Sequence, residues 1–258
     1  MLTATIEGIG FWAAGLPTWA AAHAFAAGRG GTVDTPPRPA SQLLAPNERR
    51  RAPDTVAVSL EVALAACQDA GRDPATLPSI FTSTHGDVAI TDYMCTTLAS
   101  DPLAISPTKF HNSVHNAAAG YWTIGAGATT AATAISAHRA SFAQGLLEAL
   151  SQLAAGEAAV LLAAYDSRSA GPLARVSQSD SLLGAALVLG AAALPGKPRL
   201  RVRLADGDAA DGDGALARHA AGNAMAPMLV LFDALAAGAA GCTLDAGGGR
   251  CLHVELQA

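Results

Sequence analysis

The chain has 258 residues, of which 51% are hydrophobic and 14% charged, with a formal net charge of −5. That length can bury a sizeable core as one large domain or two small ones, and an acidic chain without a basic stripe argues against nucleic-acid binding. The apolar excess points to a surface covered by a partner, or only to abundant alanine, which raises the count without adding adhesive surface.

Thr3–Trp12 reads as a strand that ends at the turn signal Ala13–Pro17, and Thr18 as the cap of a short helix over Trp19–Ala27. Arg29–Ala52 is rich in Gly, Pro and polar residues and reads as a long loop. Asp54 reads as an N-cap for a helix over Thr55–Asp69, closed by Gly71, with Val58, Val62, Ala65 and Ala66 on its apolar face. Ser79–Thr84 is a buried-strand pattern, Thr91–Ala99 reads as helical, and Thr108–Asn116 leads into a small-residue helix over Ala117–Gly125.

Thr133–Ile135 predicts a strand feeding a long helix over Ala137–Ala155, with Leu146, Leu147, Leu150 and Leu153 at helical spacing and Gly156 as its stop. Ala159–Tyr165 is a continuous apolar run, the pattern of a strand covered on both faces. Leu182–Leu189 and Leu200–Leu204 read as strands and Asp206–Gly214 as a loop. Ala224–Ala237 reads as a helix interrupted by Pro227, Gly247–Gly249 as a hairpin turn, and Cys251–Leu256 as a final strand. The alternation of strands and helices implies a layered α/β sheet with crossover helices.

Cys67, Cys95, Cys242 and Cys251 form neither a C-x-x-C pair nor a zinc spacing. No signal-peptide pattern opens the chain. The apolar run Leu182–Leu194 stops at Pro195, short of the roughly 20 residues a span needs. A cytoplasmic protein with reduced cysteines and no membrane span is therefore expected.

Ser106–Gly156 carries the most specific signal. Ser106-Pro107, Asn116, Ala119-Gly120, Thr123-Ile124, Gly127 and Gly156 match, without gaps, the pattern of a β-ketoacyl synthase. The chain resembles that thiolase-fold family, which condenses acyl and malonyl thioesters. The resemblance implies a thiolase-like layered fold with a complete first half, residues 1–175, and a shortened second half, residues 176–258, packed on the same core. It places the nucleophilic cysteine of the family at Arg139, and an arginine forms no thioester. No cysteine lies between Cys95 and Cys242, so shifting the alignment restores nothing. The two histidine motifs of the family are also missing. After residue 160 only His219 and His253 occur, and HAAGNAMAP is a faint match read as an incidental surface histidine.

SPTKF-HNSVHNAAAGYW with GLLEA downstream is similar to one subgroup, the short chain-length-factor-like proteins of aryl polyene and xanthomonadin-type clusters. A chain length factor is an inactive synthase that pairs with an active ketosynthase subunit and shapes its tunnel. The resemblance implies such a heterodimer, reached by an acyl carrier protein, without a cofactor. It places Lys109, Phe110, His111 and Asn112, with His115 and Asn116, at the interface and in the acyl pocket. Bulky groups there would limit product length by steric clash. The triplet Arg49-Arg50-Arg51 is either a solvated loop or a contact with an acidic partner such as the carrier protein.

Other constellations carry less. Arg139 either blocks the pocket or makes a salt bridge, or its cation binds a malonyl carboxylate or a phosphate near the helix start, and the first reading is preferred. Ser136 could replace the nucleophile only with a paired base. His111 and His115, four apart, would share a helix face, but a metal lacks a third ligand. His85-Gly86-Asp87 is too compact for a triad. Asp206, Asp208, Asp211 and Asp213 resemble a calcium loop, but Ala217 at its twelfth position excludes an EF-hand. Two other classes remain: a stand-alone malonyl decarboxylase or Ser136-dependent acyltransferase, and a purely structural scaffold for the synthase.

Overall fold

The computed structural model of the chain describes residues 1–257. Its elements in order are β1 (Leu2–Ala13), α1 (Trp19–Ala26), α2 (Pro46–Arg51), α3 (Asp54–Ala70), β2 (Ser79–Thr82), α4 (Val88–Ser100), α5 (Pro107–Asn112), α6 (Ala117–Ala126), β3 (Ala132–Ile135), α7 (Ser141–Ala154), β4 (Ala159–Asp166), β5 (Leu183–Gly190), β6 (Arg199–Asp206), α8 (Ala215–His219), α9 (Leu229–Ala237), β7 (Gly241–Gly247) and β8 (Arg250–Gln257). The strands form one mixed sheet in the order β3-β2-β4-β5-β1-β6-β8-β7.

β2 lies parallel to both β3 and β4, whereas β5 runs antiparallel to β4 and β1 on its two sides. Residues 183–190 thus sit at the centre of the sheet, between strands that precede residue 175. The sheet continues through β6 into the antiparallel β7–β8 hairpin, turned by Gly247, Gly248 and Gly249 at positive φ. β3 is an edge strand of only four residues.

β4 shows why a continuous apolar run was needed. Val160, Leu162 and Ala164 pack into one core with α7, α8 and α9. Alternate residues Ala159, Leu161, Ala163 and Tyr165 pack into a second core with α3 and with Ala118, Ala119 and Trp122 of α6. Both faces are dry, giving a helix–sheet–helix sandwich. The helices approach closely where glycine allows it: a Cβ on Gly145 of α7 would strike Thr82 and Leu162 on the sheet below.

Several boundaries differ from the sequence reading. Arg29–Ala52 contains α2, a short helix hidden by its polar composition, with Pro46 in its first turn and three arginines in its last, where the dipole favours them. Asp54 does not cap α3. It is the helix's first residue and pairs with Arg38 at 3.2 Å. α4 starts earlier, because the Ile90 amide donates to Asp87 Oδ1 at 2.9 Å. The long helix over Ala137–Ala155 is broken at its start into a tight turn, His138–Ala140, before α7 begins at Ser141. β7, with its small and polar residues, gave no strand signal, and α8 lies in a stretch left unassigned. Thr18 does cap α1, accepting from the Ala21 amide at 3.2 Å.

Candidate functional site

Three parallel strands end at the same place. β2 runs into Ser83-Thr84-His85, β3 into His138-Arg139, and β4 ends on Asp166. The carboxyl ends of parallel strands are where open α/β sheets form ligand crevices. A cleft of about 320 Å³ opens there, lined by Thr84, His85, His138, Arg139, Arg175 and Asn223 among others.

Asp166 forms the floor beneath Thr84. It is fully buried; its Oδ1 accepts from Ser83 Oγ at 2.6 Å, and its two oxygens accept from the Thr84 amide at 3.1 and 3.0 Å. Burial pushes the Asp166 carboxyl above its ordinary range, opposed by hydrogen bonds from Ser83 and Thr84 and by the His85 charge. Asn223, also buried, ties the wall to the floor: its Nδ2 donates to Asp166 O at 3.2 Å and to Ser181 O at 2.8 Å. Burial lowers the His85 pKa, and a neighbouring His138 charge lowers it further against the pull of Asp166.

His138 has φ 52°, the only positive φ at a non-glycine position among the described residues. Such strain is held only where the surroundings impose it. Here Ser141 Oγ accepts from the Ala137 amide at 2.9 Å and donates to His138 O at 2.7 Å, clamping the turn. Arg139 follows, its half-exposed guanidinium ion-paired with Asp211.

The remaining sequence candidates separate. Ser136 Oγ donates to Thr84 O at 2.9 Å, so its proton is directed at a carbonyl and not at a base. Asp87 caps α4 and its Oδ2 accepts from Thr55 Oγ1 at 3.1 Å, so it forms no pair with His85. α5 ends at Asn112, which places His111 and His115 on different elements and corrects the shared helix face. His115 Nε2 lies 2.9 Å from Ser83 O, and His111 packs edge-on to Tyr121.

The stretch Lys109-Phe110-His111-Asn112 is divided by its helix. Lys109 and Asn112 line a cavity of about 600 Å³ with Arg51, Asp54 and Asp87. Phe110 and His111, with Asn116, line an apolar groove of about 480 Å³ beside Val114, Tyr121 and Ile124. Leu103 is 96% exposed, Ile124 78% and Phe110 61%, all on the α4–α6 side.

His219 and His253 are structural. His219 Nε2 hydrogen-bonds Ala14 O at 2.8 Å, and His253 Nδ1 lies 3.2 Å from Thr243 Oγ1 on the β7–β8 hairpin. Asp206 pairs with Arg250, and no cluster of three or more His, Cys, Asp or Glu suited to a metal occurs among the described residues. HAAGNAMAP does reach the cleft, through Asn223. His138, Asp166 and Arg175 carry no motif and become visible only when separate strand ends converge.

The family model described as β-ketoacyl synthase, N-terminal domain, matches residues 19–248. The chain belongs to the β-ketoacyl synthase family. No curated protein sequence is detectably similar to it. A solved complex of the ketosynthase ApeO with its chain length factor ApeC from Xenorhabdus doucetiae contains a chain with 23% identity and a TM-score of 0.77, over 99% of this chain and 100% of that one. The ishigamide ketosynthase/chain length factor contains one with 15% identity and a TM-score of 0.71, over 98% and 99%. AntDE:AntF, a type II polyketide acyl carrier protein in complex with its ketosynthase, contains one with 12% identity and a TM-score of 0.73, over the full length of both. This β-ketoacyl synthase family member therefore has the thiolase-like ketosynthase fold. No helix among the described residues is long and apolar enough to cross a membrane.

Proposed function

We propose that the chain is a catalytically inactive, chain-length-factor-like subunit that pairs with an active β-ketoacyl synthase and shapes its acyl tunnel. The carrying observation is the cleft itself. Where the family pattern has its nucleophilic cysteine stands Arg139, and none of the four cysteines lines the cleft. Cys67 and Cys242 have thiols pushed up to about 12 by burial, the opposite of what a nucleophile requires.

The pairing face is read onto α5, α6 and β3. A short edge strand beside exposed Phe110, Val114 and Ile124 leaves apolar area and backbone groups for a partner to cover. The interface and tunnel set is Lys109, Phe110, His111, Asn112, His115 and Asn116, with Phe110 and His111 limiting length. Residues 1–175 act as the synthase-like first half and 176–258 as its shortened second half, with β5 inserted into the first half's sheet. The acyl carrier protein meets this subunit through the complex, in an aryl polyene or xanthomonadin-type system of the cytoplasm.

Co-expression of the full chain with an active ketosynthase, followed by elongation assays on each subunit and the pair, tests this reading. A stable complex that elongates beside an inert isolated chain supports it. Turnover by the isolated chain overturns it in favour of a decarboxylase or acyltransferase. Unchanged products after substitution of Phe110 and His111, with assembly intact, remove the length-limiting role from these two residues.

A further inference from the structure

One stretch of β1 lacks a neighbour on one side. β6 pairs with Leu2–Thr5 and leaves the strand after the Ile6 amide, which donates to Pro198 O at 2.8 Å. Past a bulge between Ile6 and Gly8, only β5 continues beside β1. Alternate residues of an antiparallel strand direct their backbone groups to opposite sides. Ile9 and Ala13 mark the side away from β5: the Ile9 amide donates to Asp69 Oδ2 at 2.9 Å, and Ala13 exchanges hydrogen bonds with Leu16. Phe11, midway between them, points the same way. Ile9 O, Phe11 N and Phe11 O therefore face outward without a partner among the described residues. Backbone groups inside a folded chain are rarely left unpaired.

A cavity of about 600 Å³ opens along this edge, between α1 on one face of the sheet and α3 on the other. Gly10 lines it and has no side chain, so the strand's main chain reaches the floor. Trp19 and His23 form one wall, and Glu61, Gln68 and Asp69 the other. Half-buried Glu61 takes part in none of the ion pairs formed among the described residues. Burial pushes its carboxyl above the ordinary range, against the pull of the Arg49 charge. No lysine or arginine lines the cavity.

We propose that this groove docks an extended segment of a partner protein as an added strand beside β1, with a lysine or arginine of that segment set against Glu61. The free backbone groups of Ile9 and Phe11 select a strand, because main-chain pairing is what an open edge offers. Glu61 and Asp69, with no cation in the lining, select a basic side chain over an acidic one. Trp19 gives the stem of that side chain an aromatic surface. The groove is built by β1, α1 and α3, none of which belongs to the α5–α6–β3 face, so this docking does not depend on pairing with a synthase.

The test is titration of the full chain with a capped peptide of alternating threonine and arginine, with the same peptide N-methylated throughout, and with arginine amide alone. Affinity is read by fluorescence anisotropy for the labelled peptides and by NMR for all three probes, and the Phe11 amide is followed by NMR and hydrogen exchange. Saturable binding of the first peptide is expected, with a shifted and more slowly exchanging Phe11 amide. The N-methylated peptide, which cannot donate to Ile9 O or Phe11 O, should bind roughly tenfold more weakly. Glu61→Gln should weaken binding about fivefold. Ala65→Trp, which fills the groove, should abolish it while the melting transition shows a folded chain. Glu157→Gln, an exposed carboxylate elsewhere, should leave it unchanged. Absence of saturable peptide binding to the folded chain overturns the proposal. Equal affinity for the N-methylated peptide or for arginine amide, or an unmoved Phe11 amide, overturns strand pairing in favour of simple charge attraction. None of these results would touch the elongation assay on which the partner-subunit reading rests.

Discussion

The Arg139 cleft lies at the ends of β2, β3 and β4, and the α4–α6 face is made of helices alone; the two have opposite chemistry. The cleft gathers Arg139, Arg175, His85 and His138, and behind its wall the buried Asp166 accepts from Ser83 and Thr84. The α4–α6 face presents Leu103, Phe110, Val114 and Ile124 to solvent beside a short edge strand. Satisfied backbone and a clamped turn make the first rigid, and lack of cover leaves the second incomplete. In the proposed reading the two regions divide the roles: the cleft carries an arginine at the family's nucleophile position, and the exposed apolar face meets the partner.

Ile124 is exposed in this chain and buried in the proposed complex, which separates the two regions most strongly. Ile124→Glu should weaken association with the active synthase at least ~100-fold, about 2.7 kcal/mol, because a charge is desolvated in an apolar interface. The isolated chain should keep its melting temperature, since nothing in its own core changes. Retained co-purification would move the interface elsewhere.

Gly145 tests what the two regions share. Gly145→Val drives a side chain from α7 into Thr82 and Leu162 and should cost about 2–3 kcal/mol in denaturant unfolding. Cleft and face should fail together. A stable variant that loses only one would show that the two are not supported by the same packing.

Phe110→Ala combined with His111→Ala should leave assembly intact and lengthen the product by at least one two-carbon unit, read by mass spectrometry of the released acids. Unchanged product length, with the complex still formed, would place the length limit outside this helix. Neither residue is buried in the chain itself, so folding is not at stake.

Legibility followed the same division. The core was readable because burial writes period and composition into sequence: the uninterrupted run of β4 and Leu146, Leu150 and Leu153 of α7 are packed positions, and the glycine stops Gly71 and Gly156 were readable on other grounds, their positive φ at helix ends. Arg139 was readable because it falls in a contiguous motif. The rest of the cleft was not, since Thr84, Asp166, Arg175 and Asn223 lie tens of residues apart and meet only through the β3-β2-β4 order. Short elements were lost for a different reason. α2 has too few residues to display a period, β7 is built of small and polar residues without a strand pattern, and the break before α7 depends on the Ser141 clamp, which no local pattern announces.

The smallest expected effect concerns how the cleft's carboxyl is held. Because burial raises the folded-state pKa of Asp166, the folded chain keeps a proton there after the unfolded chain has lost it at about 3.9. Across that window the unfolded state binds fewer protons, so this group's contribution is present below about pH 3.9 and declines as pH rises through the folded-state value. His85 runs the other way. Its lowered pKa means stability is lost as pH falls from about 6.5. Asp166→Asn keeps an acceptor for the Thr84 amide but cannot ionise. The stability of wild type minus that of the variant, from urea unfolding between pH 3.5 and 7, should therefore decrease with rising pH and then level off, while the variant alone keeps the His85 slope. A difference that grew with pH would mean that the Ser83 and Thr84 hydrogen bonds outweigh desolvation, leaving Asp166 as a charged group in the cleft floor.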